Sequence, residues 1–176
     1  MSETSVTAPT PAAGDAREIL GAYFAELEAG RFDAALRHYA AHGVGTLHGQ
    51  FGPGRREKAA SFMAEMLRAF PDLRFEVLDL IGEGDTAASR WRISGTFTGP
   101  GKFMGFRPTG AGFELEGLDI ARVADGKITQ IDGYADAMTV ARQLGLMPRT
   151  GSLGERMMTA ALNARTLVAR RLRHRQ

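Results

Sequence analysis

The sequence predicts an α+β fold, with three N-terminal helices followed by a curved antiparallel sheet and, at the C-terminus, a basic amphipathic helix. Two observations carry this expectation. Apolar residues recur with a helical period up to Phe70 and with a two-residue period from Leu73 to Tyr134. Asp125-Gly126 then stands between the last two alternating runs, where a two-residue hairpin turn belongs. The chain has 176 residues, 44% hydrophobic and 24% charged, enough for one domain with a packed core.

Asp15 can cap the first helix, with Glu18 three residues on in capping-box spacing. Ile19, Leu20, Tyr23, Phe24 and Leu27 form its apolar face, and Gly30 ends it. A short helical piece spans Phe32 to Ala40, and a glycine-rich link containing His48 leads to a third helix from Arg56 to Phe70. The stripe of that helix includes Ala59, Phe62, Met63, Met66 and Phe70, and Pro71 stops it.

The first strand sets Leu73, Phe75 and Val77 against Arg74 and Glu76. After the turn Gly82-Glu83-Gly84-Asp85, the second places Ala87, Trp91, Ile93 and Phe97 on one face. A glycine-rich loop over 99 to 112 precedes a third strand with Phe113, Leu115, Gly117, Asp119, Ala121 and Val123 on one parity, and a fourth runs from Lys127 to Tyr134. A helix from Asp136 to Leu144 closes the meander. Beyond the breakers between Gly145 and Gly151, Ser152 to Arg173 reads as the last helix. Leu153, Met157, Ala160, Ala161, Ala164, Leu167, Val168 and Leu172 share its apolar face.

Lys and Arg number 22 and Asp and Glu 20, a formal net charge of +2. The charge is unevenly placed. Residues 149–176 hold seven arginines and one acid, Glu155, a local +6, which leaves 15 bases and 19 acids before them, a net −4. An acidic body of this kind gives no reason to expect nucleic acid as a partner. The absence of cysteine excludes disulfides, thiolate catalysis and sulfur-ligated zinc, and it fits a cytoplasmic location. Residues 1–14 are rich in Ser, Thr, Pro and Ala, without a cationic start or an apolar core, and read as a mobile tail and not a signal peptide. No stretch approaches the roughly 18 apolar residues that span a bilayer. The expected organisation is a tail over 1–14, a pocket domain over 15–148 and the basic helix over 149–176.

Several short motifs stand in one order along the body: Ala22-Tyr23-Phe24-Ala25-Glu26-Leu27-Glu28-Ala29-Gly30, Phe70-Pro71-Asp72-Leu73-Arg74-Phe75, Gly82-Glu83-Gly84-Asp85, Phe103-Met104-Gly105-Phe106-Arg107-Pro108-Thr109-Gly110, Gly117-Leu118-Asp119-Ile120, Asp125-Gly126-Lys127-Ile128 and Arg142-Gln143-Leu144-Gly145. In these motifs, over about residues 15 to 148, the chain resembles the SnoaL-like polyketide cyclase branch of the nuclear transport factor 2-like superfamily. The resemblance implies a cone of helices wrapped by a strongly bent sheet, with an apolar pocket at its open end. It does not reach the last helix.

Asp119 is the most informative side chain. A carboxylate among Phe113, Leu115, Ala121 and Val123 must be paired, hydrated or protonated, and desolvation would make it a proton donor or a base near neutrality. A structural Asp bonded to buried backbone or to an arginine is the other reading. Resemblance to the ketosteroid isomerases of the same superfamily implies that Asp119 and Tyr23 sit where paired oxyanion donors stand. The isomerase base falls at about Leu47, beside His48, a residue type that titrates near neutrality. Tyr23 is otherwise a core tyrosine. SnoaL-like cyclases carry an acid/base Asp a few residues after the Asp-Gly-Lys-Ile turn, and that position falls on Gly133. Asp132 is the nearest replacement, although in a regular strand it faces the opposite way unless a bulge re-aims it.

Trp91, Phe97, Phe113 and Tyr134 are expected to bind an apolar polycyclic or other small-molecule ligand. No metal is expected, because His38 and His42 have helical i, i+4 spacing but no third ligand. Gly99, Gly101 and Gly105 are not a dinucleotide fingerprint, because their spacing is wrong and they join antiparallel strands instead of opening a helix, and no cofactor is expected because the chemistry implied needs none. The chemistry implied is proton abstraction next to a carbonyl, with the enolate oxygen held by neutral donors, in the service of an aldol cyclisation or an isomerisation. Epoxide hydration by paired carboxylates and a non-catalytic ligand-binding or association module are the alternatives. A homodimer is expected, with the basic helix packed onto it; weak contact of that helix with an anionic membrane or a protein is the other reading.

Overall fold

The computed structural model describes residues 15–173, with side chains through residue 166 apart from that of Phe51. The expected tail over 1–14 therefore lies outside the described residues, as do the stripe side chains Leu167, Val168 and Leu172. The elements are α1 (Ala16–Glu28), α2 (Phe32–Ala35), a 3-10 turn (Leu36–His38), β1 (Tyr39–His48), β2 (Phe51–Arg55), α3 (Arg56–Ala69), β3 (Arg74–Glu83), β4 (Thr86–Thr96), β5 (Gly112–Ala124), β6 (Lys127–Ala135), α4 (Ala137–Gln143) and α5 (Leu153–Arg173).

Asp15 caps α1 by accepting from the backbone N–H of Arg17, and Ala16, Leu20, Phe24 and Leu27, one turn apart, are the residues it buries. The strands form one curved sheet in the order β2-β1-β6-β5-β4-β3. The β3–β4–β5–β6 meander is antiparallel throughout, and Asp125 and Gly126 turn the last hairpin with φ of 50° and 68°. Two strands were not anticipated. The second helical piece stops at His38, and what reads as a glycine-rich link is β1, which pairs antiparallel with β2 and parallel with β6.

The core lies between the inner face of the sheet and α1 and α3. Phe70, fully buried at the end of α3, packs against Phe97, Phe103 and Phe113 with ring centroids 5.1, 5.2 and 4.9 Å away. Phe24 of α1 leans on Phe75, which meets Trp91 at 5.9 Å. Gly117, the register partner of Trp91, leaves room for the indole to lie across β5. On the outer face, Arg90 pairs with Asp79 and Glu116, and Arg92 with Glu76, Glu114 and Glu116.

The first turn of α5 is held by an Arg142–Glu155 ion pair of 3.5 Å, with the same Glu155 carboxylate accepting from the backbone N–H of Gly151. From Thr159 to Thr166 every residue of α5 is exposed. Among the described residues no helix is long and apolar enough to cross a membrane.

Candidate functional site

Two adjoining chambers open inside the cone and share Leu47, Phe62, Met66, Trp91 and Ile93 as walls. The outer chamber, about 290 Å³, is almost wholly apolar, with Phe103, Phe113, Leu115 and Leu144 on its walls and the exposed side chains of Met104, Phe106 and Met138 also lining it. The inner one, about 100 Å³, is the polar end. Tyr23 from α1, Tyr39 from β1 and Asp119 from β5 converge there, opposite the bare backbone of Gly133 on β6.

The inner position of Asp119 follows from strand parity. Phe113, Leu115, Ala121 and Val123 are buried on the same side of β5, so the carboxyl enters the cone with them. It is only partly buried and keeps accessible surface toward the chamber. Burial pushes its pKa from 3.8 up to about 7. The indole N–H of Trp91, which finds no acceptor in hydrogen-bonding geometry, is near enough to favour the ionised form, and the charge of Asp132 across the sheet disfavours it.

The Tyr23 and Tyr39 rings meet edge to face at 5.8 Å, and both line the inner chamber. Burial raises the pKa of both, and the Asp119 carboxylate adds to the effect. Both hydroxyls therefore remain protonated at neutral pH and can donate.

Gly133 faces Asp119 on one neighbouring strand and Leu47 on the other. A Cβ at residue 133 would stand 2.8 Å from Asp119 Oδ1 and 2.9 Å from Leu47 Cδ1. The Asp119 carboxyl thus fills the room that a side chain at 133 would take. Gly133→Ala should cost about 1–3 kcal/mol of stability, since one of these two well-packed groups has to move. Urea denaturation checks this, and an unchanged midpoint would mean that the carboxyl swings aside freely.

Of the side chains singled out from the sequence, Tyr23 and Asp119 come together inside the cone, and Trp91 and Phe113 line it. His48 and Asp132 also come together, but on the outer face. His48 Nε2 stands 3.7 Å from Asp132 Oδ1, Gln130 Nε2 donates to Asp132 at 2.5 Å, and the imidazole stacks on Tyr134 at 4.3 Å. The register around Asp132 is regular against both β1 and β5, so no bulge turns it inward.

Tyr134 shares that outer parity and is half-exposed, away from the chambers. Phe97 points inward as expected, yet it is fully buried behind the cavity against Phe70. His38 ends the 3-10 turn and His42 lies in β1, so their helical spacing does not apply. Among the described residues no three His, Asp or Glu side chains gather to hold a metal ion. Tyr39 went unnoticed in the sequence. The signal available was the parity it shares with Gly43, Gly45 and Leu47.

The model of the SnoaL-like polyketide cyclase family matches residues 17–144. Among solved structures, AclR, a candidate hydroxylase from Streptomyces galilaeus, superposes with a TM-score of 0.67 at 23% identity, over 90% of this chain and 94% of its own. IdmH, a candidate polyketide cyclase from Streptomyces antibioticus, gives 0.63 at 28% identity, over 74% and 98%. A protein of ketosteroid isomerase-like fold from Catenulispora acidiphila, solved in complex with trimethylamine, gives 0.60 at 19% identity, over 73% and 92%. No curated protein matches the chain by sequence.

Proposed function

The chain belongs to the SnoaL-like polyketide cyclase family, and from that premise we propose that its cavity performs cofactor-free acid/base chemistry on a polyketide- or steroid-like ketone. The observation that carries this reading is a carboxyl with its pKa raised to about 7, set beside two protonated tyrosines at the closed end of an apolar cavity. The ionised Asp119 takes the proton next to the substrate carbonyl. The C–H electrons form the enolate, and the Tyr23 and Tyr39 hydroxyls donate to its oxygen. In a cyclisation the enolate carbon bonds to a second carbonyl carbon, and Asp119 returns its proton to the new alkoxide. In an isomerisation the same proton goes to the far carbon of the conjugated system. Trp91, Phe62 and Phe113 supply ring surfaces for the rest of the ligand.

Asp119 takes the base role because it is the only carboxyl among the described residues lining the two chambers. The same fact speaks against epoxide hydration, which needs two. It also leaves a second reading, a pocket that binds without turning over.

The test is a panel of polycyclic ketones, steroids and anthraquinones, screened by thermal shift and then for turnover across pH. Turnover should rise with pH through an apparent pKa near 7, as Asp119 ionises. Binding without turnover at any pH, unaffected by Asp119→Asn, would sink the enzyme in favour of the binding module.

A further inference from the structure

Two hydrogen-bond donors buried inside the cone have no acceptor, and both belong to β4. Ser89 is fully buried, the one polar side chain among the described residues of which this holds, and Trp91 is 4% exposed. Neither Ser89 Oγ nor Trp91 Nε1 has a hydrogen-bond partner. The other buried side-chain atoms in that condition among the described residues are Nε of Arg92 and of Arg142, whose guanidiniums form ion pairs. Leaving a buried O–H or N–H without an acceptor is costly, so a fold that keeps two on one strand holds them for something.

Both adjoin the same carboxyl. Ser89 and Trp91 share the inward parity of β4 with Ala87 and Ile93. Strand register sets Ser89 directly against Asp119, and Trp91 against Gly117 on the same face of β5. Side chains directly opposed in this way stand about 5 Å apart at Cβ. A Cβ on Gly117 would be 2.3 Å from Trp91 Cζ2 and Cη2, so the indole edge that carries Nε1 lies across β5 beside Asp119. On the other flank, Asp119 Oδ1 faces the bare backbone of Gly133, which offers no side-chain donor.

We propose that Ser89 and Trp91 are positioning residues for Asp119, a pair of donors that close on its carboxylate when the proton leaves. The Trp91 N–H is already near enough to act on the carboxyl, and Ser89 Oγ reaches it by a turn about χ1. Both donors favour the ionised form and so oppose the burial that disfavours it. The other titratable groups facing Asp119 are Tyr23 from α1, Tyr39 from β1 and Asp132 across the sheet on β6, while α3 presents no charge to the inner chamber. Held from β4, the carboxylate turns its remaining lone pairs to the chamber. The inference deepens the acid/base reading and rests on it for the catalytic consequence, whereas the donor pair itself is measurable without substrate.

Trp91 is the only tryptophan of the chain, so its fluorescence reports on the carboxyl beside it. In the substrate-free protein that fluorescence should change with pH about a midpoint near 7, and Asp119→Asn should abolish the change. Ser89→Ala should raise the midpoint by about one pH unit, the loss of a hydrogen bond to a charged group. Trp91→Phe should raise it likewise, read from urea stability against pH. So should replacement of the single tryptophan by benzothienylalanine, which keeps the shape of the indole without its N–H and therefore leaves a purely structural role undisturbed. On any ketone turned over, the pH–rate midpoint of Ser89→Ala should rise by the same amount.

A midpoint that stays or falls in both Ser89→Ala and the benzothienylalanine protein overturns the proposal. A fluorescence titration that Asp119→Asn leaves unchanged overturns it as well. A raised midpoint in a protein that turns over no ketone supports the donor pair and removes the enzyme instead, so the two readings fail separately.

Discussion

Asp119→Asn should lower kcat by about 10²–10⁴-fold on any ketone the protein turns over, with ligand affinity changed only a few-fold. The amide has the size of the carboxyl and can still donate to an oxygen, but it cannot take a proton and give it back. The chamber around it is otherwise apolar and tyrosine-lined, so no neighbouring carboxylate can assume the task. Steady-state kinetics with a thermal-shift control separates the two quantities. A variant that binds and turns over like the parent would remove Asp119 from the chemistry and leave its burial without a functional reason.

The same substitution should make the protein more stable above neutral pH. The Asp119 carboxyl ionises near 3.8 when the chain is unfolded and near 7 when it is folded. Between those values the folded state holds a proton that the unfolded state has lost, so stability falls as pH rises across that window and levels off above it. A shift of about three units corresponds to about 4 kcal/mol, and access of the carboxyl to solvent in the chamber reduces this to about 2–4 kcal/mol. Asparagine does not titrate, so the variant lacks this loss. Urea denaturation should find parent and variant alike at pH 4 and the variant ahead at pH 8. Equal stabilities at pH 8 would show that the ionised carboxyl is fully compensated in the fold. Activity and stability therefore oppose one another at this residue.

The inner face of β5 was legible in the sequence, because six alternating residues from Phe113 to Val123 leave one choice of side for Asp119. Trp91 was legible for the same reason. His48 was paired with the wrong cavity because β1 was invisible. Its glycines depress the local strand signal, and the reason they are glycines is long-range. A Cβ on Gly43 would meet the Ile128 carbonyl of β6 at 2.7 Å and the Tyr39 ring at 3.1 Å. Neither neighbour is announced by the residues around Gly43. With β1 unseen, the parity that aims Tyr39 inward and His48 outward could not be assigned. Phe97 shows a different limit. Its parity is inward, but alternation does not distinguish a cavity wall from the packed core one layer behind it.

The parallel pairing of β1 with β6 also has a kinetic consequence. The residues it joins, such as Tyr39 and Ile128, are about ninety positions apart, whereas the β3-to-β6 meander is built from neighbouring hairpins. Loop-closure entropy makes such distant contacts late and slow. Asp119 and Gly133 belong to the meander, and Tyr23 and Tyr39 to the segment that must dock onto it. Contact order thus predicts that the polar end of the cavity is completed late in folding, after the hairpins of the meander have formed.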